Sequence, residues 1–252
     1  MMSLKALIFD VDGTLADTER DGHRVAFNAA FAAVGLDWHW SEDLYGELLA
    51  VTGGKERIRY YLQHHHPQWL EQQGIEQTII ALHESKTAHY QMLVKDGAIP
   101  LRPGIQRLLQ EARDRAITLA IATTTTHSNV AHLLQATLGA HSLEWFAVIG
   151  AGDVVPAKKP APDIYHYVMQ QLGLSPQHCL AIEDSAQGLQ AAHAAGIATL
   201  ITFNGYTRED TFDGALAVLD HLGEPDQPCQ QLAGSCRCGT YVTLEALRNC
   251  LS

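Results

Sequence analysis

Two carboxylates follow an apolar stretch near the start of the chain, in "LIFDVDGTLADTE". Asp10 and Asp12 flank a single valine, and residues two apart on a strand point to the same side. Two like charges held close together are unfavourable unless a cation or a shared proton offsets them. Gly13 then turns the chain, so we expect the pair at an open strand tip. A helix-cap acid beside a turn acid is the alternative interpretation of this stretch alone.

Polar side chains also follow three later apolar stretches. Thr123–Thr126 follow "LAIA", and Lys158 and Lys159 precede a proline in "AKKPAPDIY". Glu183 and Asp184 stand at the end of the apolar run in "LAIEDSAQG". In an open parallel sheet the ligand site lies beyond the carboxyl ends of the strands. We therefore expect these groups to meet the two N-terminal aspartates.

These residue types suit phosphoryl transfer. Three or more carboxylates without clustered His or Cys favour a hard cation such as Mg²⁺, which prefers oxygen ligands. A hydroxyl and an ammonium group suit the outer oxygens of a phosphoryl group. A carboxylate beside the cation can attack phosphorus and form an aspartyl phosphate, and a second one can carry the proton. The spacing therefore predicts Asp10 as nucleophile, Asp12 as acid and base, and Mg²⁺ as cofactor.

Apolar strand patterns alternate with helical patterns along most of the chain. Continuous apolar strands between helices indicate a parallel sheet with helices on both faces, so the predicted class is α/β, Rossmann-like. The predicted strands are Ala6–Asp10, Thr118–Ala122, Phe146–Ile149, Leu180–Ile182 and Ala198–Ile201. The predicted helices between them are Ile105–Arg115, Asn129–Leu138, Asp163–Leu172 and Ser185–Ala195.

One interval breaks this alternation. From Asp17 to Arg102 no strand pattern is convincing, and the helical patterns there are rich in polar and aromatic residues. "LRPGI" at Leu101–Ile105 has the proline and glycine of a re-entry point. We therefore predict a discontinuous α/β core at 1–16 and 103–252, with an inserted helical domain at 17–102.

Composition limits the class of partner. The 252 residues carry a formal net charge of −11, which argues against nucleic acid held through its phosphates. Hydrophobic residues make up 46%, enough for a sizeable core. No run of 18 apolar residues is present, and the N-terminal apolar stretch is too short for a signal peptide. We expect a cytoplasmic monomer that binds no membrane and acts on a small molecule.

Four of the five cysteines lie in the last part of the chain, at Cys229, Cys236, Cys238 and Cys250. Their spacing, C-x6-C-x-C-x11-C, lacks the C-x2-C pairs typical of structural zinc sites. Reduced thiols are therefore predicted in preference to a zinc site.

Four motifs in order, "DVDGT", "ATTT", "KKP" and "EDS", resemble the haloacid dehalogenase-like phosphatase superfamily. The resemblance implies that the helical insert is a mobile cap domain. It also implies that Asp10 is the nucleophile and Asp12 the acid and base, while Thr123 and Lys159 hold the phosphoryl group. Mg²⁺ would be held by Asp10, the backbone carbonyl of Asp12 and Asp184, with Glu183 close behind.

Further strings resemble the CbbY-type branch of that superfamily, namely "FDVDGTLADTE", "DWHW", "TGGKERI", "IATTTT" and "AAGD…KKPAPDIY". Members of this branch are sugar-bisphosphate phosphatases linked to the Calvin cycle, with xylulose-1,5-bisphosphate, an inhibitor of Rubisco, as preferred substrate. This resemblance implies substrate contacts from Glu19, Tyr45, Gly53, Gly54, Lys55, Arg57, His83, Lys86, Thr124 and Thr125.

The same strings leave alternatives open. A glycine-rich helix start with two nearby cations can bind an anion, but "GGKER" is equally typical of a solvated surface helix. The core motifs also fit a β-phosphoglucomutase-type enzyme, which must keep its aspartyl phosphate from water. A catalytically idle binding module is disfavoured because the acidic and lysine motifs are intact. A P-loop enzyme is excluded because the chain has no G-x-x-x-x-G-K-[ST] string.

Overall fold

The computed structural model describes residues 4–51, 53–152 and 154–251. Thr52 of "TGGKERI" and Asp153 of "AAGD" therefore lie outside the described residues. The chain divides into two compact units, one of Met1–Asp17 with Pro100–Ser252 and one of Thr18–Ile99. We call the first the α/β unit and the second the helical unit.

The α/β unit is built on a seven-stranded sheet in the order β3-β2-β1-β4-β5-β6-β7. All neighbouring strands run parallel except the last pair, β6 and β7, which is antiparallel. The predicted α/β class is therefore confirmed. The strands are β1 (Ala6–Phe9), β2 (Thr118–Ala122), β3 (Phe146–Gly150), β4 (Cys179–Glu183), β5 (Ala198–Thr202), β6 (Ala217–Leu219) and β7 (Gln231–Ala233).

Both faces of the central strands are buried, which explains why these strands are apolar at every position. Ala6 and Ile8 of β1 belong to one core cluster with residues of two helices, whereas Leu7 and Phe9 are buried on the opposite face. Polar groups are therefore confined to the strand ends. Numbered in chain order after the four α-helices of the helical unit, the helices of this unit are α5 (Ile105–Asp114), α6 (His127–Leu138), α7 (Asp163–Leu172), α8 (Ala186–Ala194) and α9 (Leu244–Cys250).

The sequence patterns predicted these central elements to within two residues at each end, and missed the elements near the C-terminus. β6 is only three residues long, and every residue of β7 is exposed, so neither gives a strand pattern. The helix α9 has a recognisable start, because the Thr243 hydroxyl accepts from the Ala246 N–H at 3.1 Å.

The prediction of reduced thiols is wrong for one pair of cysteines, because Cys236 and Cys250 are joined by a disulfide. The other cysteines, Cys179, Cys229 and Cys238, are free and buried. Local spacing could not reveal this pairing, since α9 returns Cys250 to the region of Cys236.

The helical unit contains no strand among its described residues. An aromatic cluster fills its interior, with Phe27, Phe31 and Trp40 in ring contact and all fully buried. The Asn28 side chain fixes Trp40 by donating to its carbonyl at 3.0 Å and accepting from its N–H at 2.8 Å. A π-helical turn at Thr18–His23 precedes the helices α1 (Arg24–Ala33), α2 (Glu42–Leu48), α3 (Gly54–His65) and α4 (Ile75–Lys95). No described helix of the chain is both long and apolar enough to cross a membrane.

Candidate active site

Asp10 follows β1 directly, at the carboxyl edge of the sheet. Its N–H donates to the Ile182 carbonyl at 3.0 Å, which extends the pairing of β1 with β4 by one residue. Gly13, three residues on, has φ +85°. A Cβ there would also collide with the Asp184 carboxylate, so glycine is required by conformation and by space. The tight turn thus brings the ends of β1 and β4 together.

The Lys159 ammonium lies between two carboxylates. Its Nζ donates to Asp10 Oδ1 and to Glu183 Oε1, each at 2.6 Å, and to the Ala122 carbonyl at 2.9 Å. Burial disfavours the charge, but the two carboxylates outweigh it and hold the pKa of Lys159 above its usual range. The lysine is therefore charged at neutral pH.

Each of the two acids at the end of β4 is oriented by neighbours. The Tyr165 hydroxyl, on α7, donates to Glu183 Oε1. The Asn204 amide donates to Asp184 Oδ2 at 2.7 Å, and the Thr14 hydroxyl donates to Asp184 Oδ1 at 3.5 Å. These bonds fix the carboxylates before any ligand binds.

The carboxylates outnumber the nearby cation, and their pKa values reflect this. Burial raises the pKa of Glu183 to about 7 despite the neighbouring Lys159, and the charge of Asp10 adds to the rise. Burial, Asp10 and Glu183 together hold the pKa of Asp184 well above its usual range. One carboxylate oxygen from each of Asp10, Glu183 and Asp184 lies within 4.8 Å of the others. An all-oxygen cluster with excess negative charge fits a hard divalent cation.

Asp12 lies on the turn after β1 and is half-buried. Its backbone forms a bridge with Ala16. The buried guanidinium group of Arg102 donates to a backbone carbonyl of the same turn. Sequence reasoning had treated "LRPGI" only as a re-entry point and missed this residue. Arg102 donates to the carbonyl oxygens of Gly13 at 2.5 Å, Thr202 at 2.6 Å, Phe203 at 2.5 Å and Asp220 at 2.7 Å.

The threonines after β2 begin at the same edge of the sheet. Thr123 is buried, and its hydroxyl accepts from the Thr125 N–H at 3.2 Å. The Thr125 hydroxyl accepts from the Asn129 amide at 3.2 Å, while Thr124 is exposed. Thr126 caps α6 by accepting from the Asn129 N–H at 3.3 Å.

In the helical unit, Tyr45 joins two of the predicted substrate-binding residues. Its hydroxyl donates to Glu19 Oε2 at 2.6 Å and accepts from Arg57 Nη1 at 2.9 Å. The same guanidinium group donates to the Leu48 carbonyl at 3.1 Å and the Val51 carbonyl at 3.2 Å. Each of its three nitrogens thus has a protein acceptor, so Arg57 braces the end of α2 and the following turn.

Lys86 lies in a partly aromatic pocket of the same unit. Its Nζ donates to His23 Nδ1 at 2.8 Å and stands 5.0 Å from the Phe27 ring centroid. The His23 ring stacks on Tyr90 at 4.0 Å. Burial lowers the pKa of His23 to about 4, with the Lys86 charge adding to the effect and Glu19 opposing it. His23 is therefore neutral at pH 7, and its Nδ1 accepts a hydrogen bond from the Lys86 ammonium group.

The glycine turn before α3 adjoins His83. Gly53, at φ +96°, has no side chain to cap the helix, and a Cβ at Gly54 would collide with the His83 ring. Lys55 is exposed and, with Lys86, acts electrostatically on the imidazole. Burial and these two ammonium groups lower the pKa of His83.

Three residues of these clusters had no role in the sequence analysis. Asn204 stands two residues after β5, so the rule on strand ends could have identified it. Tyr165 lies inside the quoted string "KKPAPDIY", and its contact with Glu183 depends on the docking of α7. His23 has no local signal, because Lys86 is 63 positions away.

Comparison with known proteins shows which family this chain belongs to. A family model described as haloacid dehalogenase-like hydrolase matches residues 4–196. Protein CbbY, plasmid, of Cupriavidus necator is 53% identical over 228 residues, which are 90% of this chain and 89% of that protein. A crystal structure of a CbbY variant from Rhodobacter sphaeroides in complex with xylulose-(1,5)-bisphosphate is 44% identical. It has a TM-score of 0.70 and coverage of 86% of this chain and 94% of that one.

A putative β-phosphoglucomutase from Thermotoga maritima has a TM-score of 0.67 at 27% identity. The match covers 85% of this chain and 94% of that one. The chain belongs to the haloacid dehalogenase-like hydrolase family. The predicted hydrolase class and the similarity to CbbY are both confirmed.

Proposed function

We propose that the chain is a phosphatase that removes a phosphate from a small phosphorylated sugar, xylulose-1,5-bisphosphate, through an aspartyl phosphate on Asp10. The observation that carries the proposal is the Asp10 carboxylate, which lies 2.6 Å from the Lys159 ammonium and belongs to the cluster with Glu183 and Asp184. The similarity to CbbY of Rhodobacter sphaeroides, a variant of which was crystallised with this bisphosphate, supports the choice of sugar.

In the proposed first step, an Asp10 oxygen attacks phosphorus and the bond to the sugar oxygen breaks. Asp12 gives its proton to the leaving sugar oxygen. In the second step Asp12 takes a proton from water, whose oxygen attacks the same phosphorus and displaces the Asp10 carboxylate. Lys159 and the Thr123 hydroxyl hold the outer phosphoryl oxygens through both steps.

The proposed cofactor is Mg²⁺, held by Asp10, the Asp12 carbonyl and Asp184, with Glu183 behind them. When bound, it offsets the carboxylate charges and withdraws charge from the phosphoryl oxygens. The pKa values of Glu183 and Asp184, both raised by burial, support this assignment, because a buried group of carboxylates needs a cation to stay ionised.

The phosphate that takes no part in the chemistry needs its own partner. We assign it to the helical unit, where Lys55, Lys86 and the uncapped start of α3 at Gly53 and Gly54 provide ammonium and N–H groups. Glu19, Tyr45 and His83 would contact the sugar, and Thr124 and Thr125 would do so in the α/β unit. The role of Arg57 is revised: its contacts with Tyr45 and two carbonyls favour a bracing role.

A substrate panel tests the proposal. Phosphate release is measured for xylulose-1,5-bisphosphate, its epimer ribulose-1,5-bisphosphate, glucose 1-phosphate and glucose 6-phosphate, with Mg²⁺ and with a chelator. We expect Mg²⁺-dependent release with the highest kcat/KM for xylulose-1,5-bisphosphate. Interconversion of the two glucose phosphates without phosphate release would instead identify a β-phosphoglucomutase-type enzyme. Equal rates on all sugars would contradict the assigned substrate.

A further inference from the structure

The segment from Glu224 to Tyr241 has an unusual interior. Its buried side chains are those of Cys229, Cys236 and Cys238, and every other residue in it is at least partly exposed. An ordinary loop of this length would be held by apolar side chains. A segment that lacks an apolar core usually depends on a disulfide or a metal ion.

The segment carries three cysteine sulfurs, and a disulfide brings the sulfur of Cys250 to one of them. Cys236 is joined to Cys250 at the end of α9, and the Cys238 sulfur lies 3.5 Å from the Cys236 sulfur. The Cys229 sulfur is 3.8 Å from the carbonyl oxygen of Gly239, next in sequence to Cys238. Cys229 is also close enough to influence the titration of Cys238 electrostatically.

Backbone hydrogen bonds hold these cysteines in position. The Cys229 N–H donates to the Thr240 carbonyl at 2.8 Å, and the Cys236 N–H donates to the Leu216 carbonyl at 3.0 Å. The first bond joins two stretches of the segment, and the second ties the segment to Leu216, the residue before β6. Cys229 and Cys236 are thus held by backbone contacts that do not depend on a bond between sulfurs.

A disulfide uses only two of the four sulfurs and leaves two buried thiols beside it. Four thiolates are a standard ligand set of structural zinc, with a Zn–S distance of about 2.3 Å and tetrahedral geometry. Neighbouring sulfurs in such a site are roughly 3.8 Å apart, as that geometry requires. The separation of 3.5 Å between Cys236 and Cys238 is close to this value. The cluster therefore fits a second chemistry besides the disulfide.

We propose that the reduced form of this tail binds one Zn²⁺ through Cys229, Cys236, Cys238 and Cys250. The disulfide and the zinc site are alternative states of the same residues, since a disulfide sulfur is not a thiolate ligand. A dithiol reductant opens the disulfide to two thiols and is itself oxidised to a disulfide. Zn²⁺ then replaces the four thiol protons, which pass to solvent.

The spacing C-x6-C-x-C-x11-C gave no sign of such a site, because zinc sites recognised from sequence have paired C-x2-C motifs. Here the hydrogen bond between Cys229 and Thr240 and the position of α9 supply the proximity that sequence spacing lacks. All four residues belong to the α/β unit and stand apart in sequence from the catalytic motifs. The inference is therefore independent of the proposed function.

Metal analysis of the full chain tests the proposal. The protein is produced with zinc in the medium and purified under a phosphine reductant, and zinc is quantified by mass spectrometry. We expect about one zinc per chain, and four thiols that react with a thiol reagent only after a chelator is added, whereas Cys179 stays buried in β4 with and without the chelator. Replacement by Co²⁺ should give the thiolate charge-transfer band and the visible bands of a tetrahedral sulfur site.

Variants separate this site from incidental metal binding. Cys229→Ala and Cys238→Ala should each lose bound zinc, whereas Cys179→Ala, which removes a buried thiol from β4, should retain it. The proposal is overturned if the reduced wild-type chain carries no zinc, whether its intact mass shows five thiols or one disulfide. It is also overturned if Cys229→Ala and Cys238→Ala keep the zinc content of the wild type.

Discussion

The α/β unit and the helical unit each bring charged side chains together, with opposite balance. In the α/β unit, the Lys159 ammonium pairs with Asp10 and Glu183, and Asp184 belongs to the same carboxylate cluster, so negative charge is in excess. In the helical unit, the Glu19 carboxylate is influenced by the cations Arg57 and Lys86, and positive charge is in excess. The first cluster is suited to a metal cation, and the second to an anionic group of a substrate.

The pKa shifts follow from this difference in balance. Burial opposes ionisation of Glu19, yet His23, the Tyr45 hydroxyl and the two cations outweigh it and lower the pKa of Glu19. Burial raises the pKa of Glu183 because one shared ammonium does not compensate it. Burial thus acts in the same direction on both carboxyl groups, and yet their pKa values shift in opposite directions. The pKa shifts therefore follow the local excess of charge rather than burial alone.

The largest effect is expected from Asp10→Asn, which keeps the shape of the side chain and removes the nucleophile. We expect kcat to fall at least ~10³-fold on every phosphate ester, as for other covalent-catalysis knockouts. Steady-state phosphate release measures this, with circular dichroism to verify folding. Asp226→Asn, an exposed aspartate of the same unit, is the control and should be unaffected. Near-normal turnover by Asp10→Asn would rule out the assigned mechanism.

Lys159→Met tests the acidic excess directly. Removal of the ammonium leaves Asp10 and Glu183 without their shared partner, and breaking a buried pair costs roughly 3–5 kcal/mol. We expect the lower end of that range, because Glu183 can take up a proton. The urea midpoint without divalent cation measures the loss, with Lys158→Met as the exposed neighbour for comparison. Added Mg²⁺ should then stabilise wild type and variant alike. Identical midpoints for the two variants would show that the ion pairs add nothing to stability.

The cationic excess of the helical unit is tested by Lys86→Met. If Lys86 holds the distal phosphate, kcat/KM for the bisphosphate should fall. The fall should correspond to a loss of about 2–4 kcal/mol in transition-state stabilisation, the scale of a lost buried charge pair. p-Nitrophenyl phosphate lacks that group and should react almost normally. Lys95→Met, on the exposed side of α4, is the matched control. Equal losses on both substrates would indicate damage to the fold of the helical unit.

Arg57→Ala supplies the contrasting case. Its guanidinium group is occupied by Tyr45 and two carbonyl oxygens. We therefore expect it to lower turnover of both substrates together, because the end of α2 loses its brace. A loss confined to the bisphosphate would return Arg57 to the substrate-binding role that the sequence suggested.

Much of the α/β cluster was predictable because one rule covers it. Asp10, Thr123 and Glu183 each stand at a strand end, and parallel strands bring their carboxyl ends to one edge. The same rule would have found Asn204 had it been applied to β5. Arg102 was not predictable, because its acceptors are backbone carbonyl oxygens more than 80 positions away in sequence.

The helical unit was harder to predict because no comparable rule governs it. His23 and Lys86 meet only after a π-helical turn and α4 have packed, and neither helix pattern specifies that contact. Sequence patterns likewise do not specify the contacts that Arg57 makes with Tyr45 and two carbonyl oxygens. A basic residue beside a glycine turn suggests an anion, but its actual partners are set by how α2 ends.

The smallest expected effect is a pH dependence of the helical unit's stability, through His23. Its pKa is about 4 in the folded chain and about 6.5 when unfolded, so between these values the unfolded chain binds more protons. The stabilisation is therefore complete above pH 6.5 and is lost as the pH falls toward 4. Between pH 7 and 5.5 we expect a loss of about 1 kcal/mol. Hydrogen exchange of peptides from α1 and α4 measures this loss.

Two variants assign the pH dependence to a residue. His23→Gln keeps an acceptor for Lys86 and does not titrate, so hydrogen exchange in this variant should depend less on pH. His83, whose pKa is also lowered by burial, titrates in the same direction, and His83→Gln separates its share. If His23→Gln retains the full dependence and His83→Gln removes it, the pH dependence comes from His83 and not from His23. If neither variant changes it, the opposite charge balance of the two units is not reflected in their stability.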